Sequence, residues 1–378
     1  MKIIISPDKF KGSLSALQVC EAIHKGIKRF DSAIETILHP LADGGEGTLD
    51  VLDSALDLET IDVEVNDPLF RPIMASYKKD RQNAYIEMAA ASGLPLLKNE
   101  ERNCLHTTTF GTGELILDAI SRGVKRIYLL VGGSATNDAG IGMATALGYT
   151  FWDQQGKEIS PVGNELIRIK AIDSNNLKVN LSEVEFFVIC DVKNTLFGKE
   201  GAAYMYAGQK GADEEAINHL DKGLEHFSRT VQSAFGMDIS GLEGGGAAGG
   251  IGAGAAVFLK AQILPGIQTV LEVTGYKEKL KGVDFIITGE GKLDEQTIQG
   301  KVIHGVDDIS RANGIPYAII CGVVEDFEKV KRKLNAVDIL QVKSPDISLD
   351  SAINDAAFHV ENLAYELIKN QSAQLKAR

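Results

Sequence analysis

Residues 131–148, VGGSATNDAGIGMATALG, place closely spaced glycines beside Ser134, Thr136, Asn137 and Asp138. The pattern is typical of a strand end, a glycine-rich turn and a short helix. Glycine lets backbone N–H groups approach a ligand, the hydroxyls suit phosphate oxygens, and the amide and carboxylate suit a metal ion or a hydroxyl group. The same residues are also those of a simple capped helix that Gly148 ends. Both hypotheses can hold together.

Two familiar nucleotide motifs do not account for this stretch. No Gly-Lys pair in the chain is followed by Ser or Thr, so a Walker loop is excluded. Gly244, Gly246 and Gly249 do spell G-x-G-x-x-G. The preceding MDISGLE is a poor strand, and no second strand with a ribose-binding acid follows at the required distance. A tight glycine-lined turn is favoured there over a nicotinamide site.

Two loops near the start of the chain have a similar composition. In SPDKFKGSLS (residues 6–15), Lys9 and Lys11 flank a predicted helix N-terminus, which attracts anions. In LADGGEGT (residues 41–48), Asp43 follows a strand and precedes adjacent glycines, so it suits a substrate hydroxyl or Mg²⁺. The alternatives are a solvated turn for the first loop and a capped helix start for the second.

Two further loops carry acids directly after apolar strands. TGEGKLDEQTIQGK (residues 288–301) contains Glu290 and Asp294, and CDVKNTLFG places Asp191 and Asn194 after the apolar run EFFVIC. Solvated charges or a capped turn would also explain these residues. Acids at strand ends nevertheless raise the expectation of a ligand site, because parallel sheets bind ligands at that edge.

Composition narrows the class of protein. The chain has 378 residues, 44% of them apolar, 39 glycines and a formal charge of −13 with a pI near 5.1. This balance argues against a broad nucleic-acid surface, but a local basic pocket for a small anion is compatible with it. The four cysteines form no CxxC pair, which disfavours zinc and disulfides. The short apolar run at the start and the lack of 18 consecutive apolar residues predict a cytoplasmic protein without a membrane span.

The order of elements predicts an α/β fold. Both ends of the chain alternate short apolar strands with helices, so we expect one Rossmann-like parallel sheet built from residues 1–64 and 283–378. The glycine-rich middle, residues 65–282, is expected to form a second, inserted α/β domain. Ligands would then bind in a cleft between the two domains, beyond the carboxyl ends of the strands.

Several acids, lysines and glycine loops without a redox or nucleophile signature favour phosphoryl transfer. The seven histidines show no ligand spacing, and no G-x-S-x-G elbow is present. A nucleotide-dependent oxidoreductase and a non-catalytic small-acid sensor remain as alternatives at this point.

With these residues in view, the chain resembles the type-1 glycerate kinase family. The resemblance rests on SPDKFKGSLSA, PLADGGEGT, NDPLFRP, IEMAAASGLPLL, FGTGELI, GGSATNDAGIGM, CDVKNTLFG, GQKGA, GGGAAGGIGAG and TGEGKLDEQTIQGK. It implies ATP-dependent phosphorylation of D-glycerate in a two-domain α/β protein, most often at the 2-position; a 3-kinase or a kinase of a related hydroxy acid is the alternative. The chain departs from the family pattern at Thr195, Ala207, Lys292 and Ile303, which puts details of loop stiffness and phosphate contact in doubt.

The residues and the resemblance together predict a site. Asp191, or else Asp43, is expected to orient the attacking hydroxyl, with Asp191 favoured as the base. Mg²⁺ is expected as the cofactor, at Asp138 and Asp294. The predicted substrate contacts are Lys9, Lys11, Ser13, Asp43, Gly44, Gly45 and Arg71. The predicted ATP contacts are Gly133, Ser134, Ala135, Thr136, Asn137, Gly289, Glu290, Gly291 and Lys292. No nucleic-acid or membrane partner is expected, and the sequence leaves the oligomeric state open.

Overall fold

The computed structural model describes residues 1–294 and 301–376. The chain forms two compact units, the first from Met1–Asp43, Asp50–Asp57 and Pro265–Arg378, the second from Gly44–Leu49 and Leu58–Leu264. The sequence-based boundaries at 64/65 and 282/283 would place residues 44–49 and 58–64 in the first unit and residues 265–282 in the second. Elements are numbered below in chain order.

A five-stranded parallel sheet forms the centre of the first unit, in the order β15-β13-β11-β1-β2. Its strands are β1 (Lys2–Ile5), β2 (Glu35–Leu38), β11 (Phe285–Thr288), β13 (Tyr317–Cys321) and β15 (Asp338–Gln341). Apart from Lys2 and Thr288, the residues of the central strands β1, β11 and β13 are buried and apolar, as expected for a parallel sheet covered on both faces. The predicted single parallel sheet from both chain ends is confirmed. A short parallel pair, β12 (Lys292–Leu293) and β14 (Val323–Val324), follows two of these strands.

Helices cover this sheet. They are α1 (Ala16–Phe30), most of α2 (Thr48–Ala55), α8 (Gly266–Val273), α9 (Tyr276–Lys279), α10 (Val302–Asn313), α11 (Phe327–Lys333), α12 (Leu349–Asn354) and α13 (Ala356–Lys376). Ser15 caps helix α1, and Gln18 completes a capping box with it. The C-terminal segment forms two helices, α12 and α13. The chain breaks at Asp355, so Ile353 belongs to α12 and is 40% exposed, whereas Val360 and Leu367 are buried.

A six-stranded mixed sheet organises the second unit, in the order β10-β9-β6-β5-β4-β3. Strands β3 (Glu59–Asn66), β4 (Pro72–Lys79) and β5 (Asn83–Glu87) pair antiparallel, and β5, β6 (Arg126–Leu130), β9 (Glu185–Ile189) and β10 (Gln262–Leu264) pair parallel. A small antiparallel pair consists of β7 (Thr150–Trp152) and β8 (Ala171–Asp173). The helices are α3 (Ala89–Ser92), α4 (Phe110–Ser121), α5 (Ile141–Ala146), α6 (Glu214–Phe235) and α7 (Ala247–Phe258).

The G-x-G-x-x-G at residues 244–249 does not follow a strand. Helix α6 ends at Phe235, and residues 236–246 form turns and irregular backbone before α7 begins. The arrangement therefore differs from a dinucleotide-binding βα unit. Within the described residues, no helix is both long and apolar enough to cross a bilayer.

Candidate active site

The carboxyl ends of β6 and β9 lie side by side in the second unit, because these strands are parallel neighbours that pair Leu130 with Ile189. The glycine-rich turn (residues 131–140) follows β6, and the acidic loop (residues 190–196) follows β9. A third segment, residues 244–250, contacts both. The Gly246 amide donates to the Asn194 carbonyl at 2.9 Å, and the Ala139 amide donates to the Gly249 carbonyl at 3.0 Å. The structure thus brings together three of the stretches that the sequence singled out.

These three segments pack closely enough to require glycine. A Cβ on Gly249 would lie 2.0 Å from the Thr136 carbonyl oxygen, and one on Gly246 would lie 2.2 Å from the Thr195 carbonyl oxygen. Two alanines in the same place, Ala139 and Ala248, have φ of 51°. This left-handed conformation costs an alanine about 1–2 kcal/mol, and such strain concentrates at functional sites. Close backbone packing explains the dense glycine run better than a dinucleotide motif does.

Asp138 lies in the glycine-rich turn with its side chain buried in the protein. Its fully buried carboxylate accepts hydrogen bonds from the Thr109 amide and hydroxyl, both at 2.8 Å, and from the amides of Gly140 at 3.1 Å and Gly142 at 3.2 Å. Burial raises the pKa of Asp138, and these hydrogen bonds oppose the rise. Because both oxygens already accept bonds from the protein, the contacts favour the helix-capping hypothesis over the predicted role as Mg²⁺ ligand.

The two residues before Asp138 differ from it in the hydrogen bonding of their side chains. Thr136 and Asn137 are fully buried, yet the Thr136 hydroxyl and both amide atoms of Asn137 find no hydrogen-bond partner within the described part of the chain. A buried polar group left unsatisfied costs about 1–3 kcal/mol. Such groups in a native protein call for an explanation, and a ligand or an ordered water is the usual one. This observation supports the predicted ligand role of the turn.

Lys210 reaches the same turn and was not among the predicted site residues. Its buried ammonium donates to the Ser134 hydroxyl and to the Thr136 carbonyl, both at 2.8 Å. Burial lowers the pKa of Lys210 to about 8, against the opposing influence of Cys104 and Asp138. The sequence signals were its place in GQKGA, one of the stretches that carry the family resemblance, and its closeness in the chain to Asp191, where a metal or base site was considered.

The glycine-rich turn also contains Gly133 and Ala135, two of the predicted ATP contacts. Gly133 is exposed at the start of the turn and accepts a bond from the Leu94 amide at 2.9 Å, while Ala135 is buried. A Cβ on Gly132 would lie 3.7 Å from the backbone of Gly45, so the segment that contains Gly44 and Gly45 adjoins the exposed part of the turn.

Asp191 is exposed on the acidic loop, which brings it to the same edge as the turn. Asn194 fixes this loop, because its amide donates to the Glu200 carbonyl at 2.7 Å and accepts from the Tyr206 hydroxyl at 2.6 Å. Arg71, predicted to bind the substrate, instead forms ion pairs with Asp67 at 2.6 Å and Glu101 at 2.7 Å. The Arg71 guanidinium is therefore already paired with two carboxylates.

The first unit has its own set of converging loops at the carboxyl ends of β1, β11 and β13. The Asp8 amide donates to the Gly289 carbonyl at 2.8 Å. A Cβ on Gly291 would lie 3.1 Å from the Lys11 amide nitrogen, and one on Gly322 would lie 2.3 Å from the Gly291 carbonyl oxygen. The predicted segments 9–13 and 289–292 therefore adjoin each other. Ser13, a predicted substrate contact, donates its hydroxyl to the Ile353 carbonyl at 2.5 Å.

Asp8 is a second residue that sequence reasoning missed. Burial and the neighbouring Asp43 carboxylate raise the pKa of Asp8 to about 7. The hydrogen bond from the Lys9 amide and the charges of Lys9 and Lys301 oppose this rise. Acids with strongly perturbed pKa values concentrate at functional sites. The available signal was its place three residues after the end of β1, in a loop like the one that carries Asp43 five residues after the end of β2.

The loop after β11 carries the remaining predicted residues. Glu290 is buried, and Lys292 lies 2.9 Å from Glu325 and 3.4 Å from Asp294. Hydrogen bonds to Glu325 and Asp294 raise the pKa of Lys292. The Asp294 side chain is 22% exposed, so it is open to a ligand in a way that Asp138 is not. Residues 295–300, which complete the TGEGKLDEQTIQGK stretch, lie outside the described residues.

An α/β fold with acids and glycine-rich turns at the carboxyl ends of parallel strands defines a small-ligand-binding α/β protein. Within that class, the chain belongs to the glycerate kinase family, whose model matches residues 3–372.

Named relatives cover nearly the whole chain. A glycerate kinase of Bacillus cereus is 40% identical over 366 residues, 96% of each chain, and a glycerate 2-kinase of Escherichia coli K12 is 39% identical over 358 residues, 94% of each. A crystal structure of a glycerate kinase 2 from Salmonella typhimurium LT2 superposes with a TM-score of 0.89 at 39% identity, covering 100% of this chain and 99% of that one.

Proposed function

We propose that this protein is a glycerate kinase, which transfers the γ-phosphoryl group of ATP to the 2-hydroxyl of D-glycerate. The observation that carries the proposal is the family match over residues 3–372, together with 39% identity to a glycerate 2-kinase over 94% of both chains. The buried polar atoms of Thr136 and Asn137, which have no partner among the described residues, support it, because they provide donors and acceptors for a ligand at the carboxyl edge of the sheet.

The reaction forms a bond between the glycerate oxygen and phosphorus and breaks the bond to the departing ADP. The hydroxyl proton has to leave, and Asp191 is the proposed acceptor because its carboxylate is exposed on the acidic loop beside the glycine-rich turn. Phosphoryl transfer depends mainly on positioning and on donors for the phosphate oxygens. Residues 133–137 and 289–292 are proposed to supply those donors.

The substrate is an anion, so cationic or N–H-rich segments have to bind its carboxylate. Lys9 and Lys11 remain the proposed contacts, together with Ser13, Asp43, Gly44 and Gly45. Arg71 is the weakest of the proposed contacts, since its guanidinium already pairs with two carboxylates.

Mg²⁺ remains a proposed cofactor. No group of three potential side-chain ligands (His, Cys, Asp or Glu) occurs in the described residues, but Mg²⁺ in kinases is held by one or two carboxylates together with the phosphates. Asp294 fits such a site better than Asp138, whose oxygens accept four protein hydrogen bonds. When bound, the ion would neutralise charge on the phosphates.

The test is product analysis by ³¹P NMR after incubation of the purified protein with ATP, Mg²⁺ and D-glycerate. We expect 2-phosphoglycerate; 3-phosphoglycerate would correct the regiochemistry, and neither product would refute the proposal. Asp191→Asn and Asp43→Asn assign the base, since loss of the base lowers kcat far more than it raises KM. Asp57→Asn removes an exposed carboxylate and is the matched control.

A further inference from the structure

One short segment of the second unit holds both loops of the candidate site. This anchor segment, residues 203–210, is a π-helical turn (Ala203–Ala207) followed by a 3₁₀ turn (Gly208–Lys210). Single π-helical turns are rare and occur frequently at functional sites. Tyr206 and Lys210 lie four residues apart on this segment and bind different loops.

Tyr206 holds the acidic loop, because its hydroxyl donates to the Asn194 side chain at 2.6 Å. Lys210 holds the glycine-rich turn through its bonds to Ser134 and Thr136. The loop of Asp191 and the proposed phosphate contacts of the glycine-rich turn are thus both tied to the same eight residues.

The end of the anchor segment is itself fixed by close backbone packing. The Cys104 amide donates to the Lys210 carbonyl at 3.2 Å. Gly211 has φ of 90°, and a Cβ there would lie 1.9 Å from the Arg102 carbonyl oxygen. The Lys210 side chain therefore starts from a rigid backbone position.

The choice of lysine has a chemical consequence for Ser134. An ammonium group has only donors, so the Ser134 oxygen has to accept from Lys210. The hydroxyl proton of Ser134 is then free to point to another acceptor, and phosphate or carboxylate oxygens are acceptors only. Burying an ammonium against neutral acceptors is unfavourable for stability, so a purely structural role would be filled better by an apolar side chain.

We propose that Lys210 is a positioning residue of the phosphoryl-transfer site, which acts through Ser134 by fixing the glycine-rich turn and directing the Ser134 proton to an oxygen of the anionic ligand. Tyr206 performs the equivalent task for the acidic loop through Asn194. The identity of the ligand rests on the proposed function, whereas the positioning of the two loops does not.

The kinetic test is a double-mutant cycle. Lys210→Met and Ser134→Ala should each lower kcat/KM at least tenfold, and the double variant should be little worse than the poorer single variant, because both remove the same interaction. Combining Lys210→Met with Tyr206→Phe should instead multiply the two losses, since the residues hold different loops. Tyr204→Phe is the matched control, because Tyr204 binds Asn218, outside both loops.

Amide hydrogen exchange tests the positioning without turnover. Lys210→Met should speed exchange within residues 131–140, Tyr206→Phe within residues 190–196, and Tyr204→Phe in neither. Unchanged kinetics and exchange in folded Lys210→Met, or multiplied losses in the Lys210–Ser134 cycle, would overturn the inference. If Lys210→Met does not fold, Lys210→Gln provides the same comparison. A wild-type protein that makes no phosphoglycerate refutes the proposed function, and the exchange result still decides the role of Lys210.

Discussion

Thr109 binds the carboxylate of Asp138 with two hydrogen bonds, from its amide and from its hydroxyl, each 2.8 Å long. The pair ties the start of α4 to the glycine-rich turn. The same Thr109 oxygen accepts a bond from the Met143 amide at 2.9 Å, so α5 is joined to this network. A residue that the sequence offered as a metal ligand thus connects two helices and a turn.

This network predicts a stability defect for Asp138→Asn. The amide keeps one acceptor oxygen but directs an NH₂ group at backbone donors, so the free energy of unfolding should fall by about 1–3 kcal/mol. Urea denaturation measures the change, and Asp57→Asn should leave stability almost unaffected. If Asp138→Asn keeps the wild-type stability and instead raises the Mg²⁺ concentration needed for activity, Asp138 is a metal ligand after all.

Two buried threonines allow a matched test of ligand contact. Thr107 donates its hydroxyl to the Ala135 carbonyl at 2.8 Å, whereas the Thr136 hydroxyl has no partner in the described ranges. Thr107→Val should therefore lower the free energy of unfolding by about 0.5–1.5 kcal/mol, while Thr136→Val should leave it unchanged or raise it.

For activity, Thr136→Val should be the more damaging of the two substitutions. Thr136→Val should lower kcat/KM about tenfold, the loss expected for one hydrogen bond to a charged ligand group. Equilibrium unfolding and steady-state kinetics on the same preparations provide both values. A Thr136→Val protein that is less stable but fully active would contradict the ligand role of the turn.

Asp8 predicts a pH-dependent stability. Its pKa of about 7 in the folded chain exceeds its ordinary value of 3.8, so between these values the folded state binds more protons than the unfolded state. Stability therefore falls as pH rises from about 4 to about 7. The Asp8→Asn variant should not lose stability in this way, because its side chain does not titrate. It keeps an oxygen that can accept from the Lys9 amide, which donates to Asp8 Oδ1 at 2.6 Å.

We expect Asp8→Asn to melt roughly 2–4 °C above the wild type at pH 8 and at the same temperature at pH 4. Scanning calorimetry across this range measures the difference, with Asp57→Asn as the control. A difference that stays constant with pH would show that the Asp8 carboxyl is not perturbed by Asp43 and burial.

The kink at the start of α7 predicts opposite effects for neighbouring substitutions. Ala248→Gly removes the strain of a left-handed alanine, about 1–2 kcal/mol, but glycine loses about 0.5–1 kcal/mol more chain entropy on folding. The free energy of unfolding should therefore rise by up to about 1 kcal/mol. Gly249→Ala places a methyl group 2.0 Å from the Thr136 carbonyl oxygen and should cost more than about 3 kcal/mol. Chemical denaturation compares the two variants. A destabilised Ala248→Gly would show that packing of the alanine methyl outweighs the backbone strain.

Local patterns in the sequence were sufficient for the elements and for the stretches of interest. The apolar runs of β1, β11 and β13, the capping box at Ser15 and the acids directly after strands all follow from short-range chemistry, which neighbouring residues determine. The sequence also assigned residues 133–137 and Asp191 to one predicted site, since loops at the carboxyl ends of parallel strands commonly bind ligands.

The partners of individual side chains depended on residues far apart in the chain. Asp138 binds Thr109, Ser134 binds Lys210, and Arg71 binds Glu101. The spacing of these residues in the sequence does not predict the contacts. A carboxylate at a strand end looks the same in sequence whether it faces a ligand or a ring of backbone amides. The sequence by itself therefore determined the fold class, the family and the loops that we propose as the site. Only the tertiary structure decided which polar groups already have hydrogen-bond partners, because these partners depend on three-dimensional packing and not on residue type.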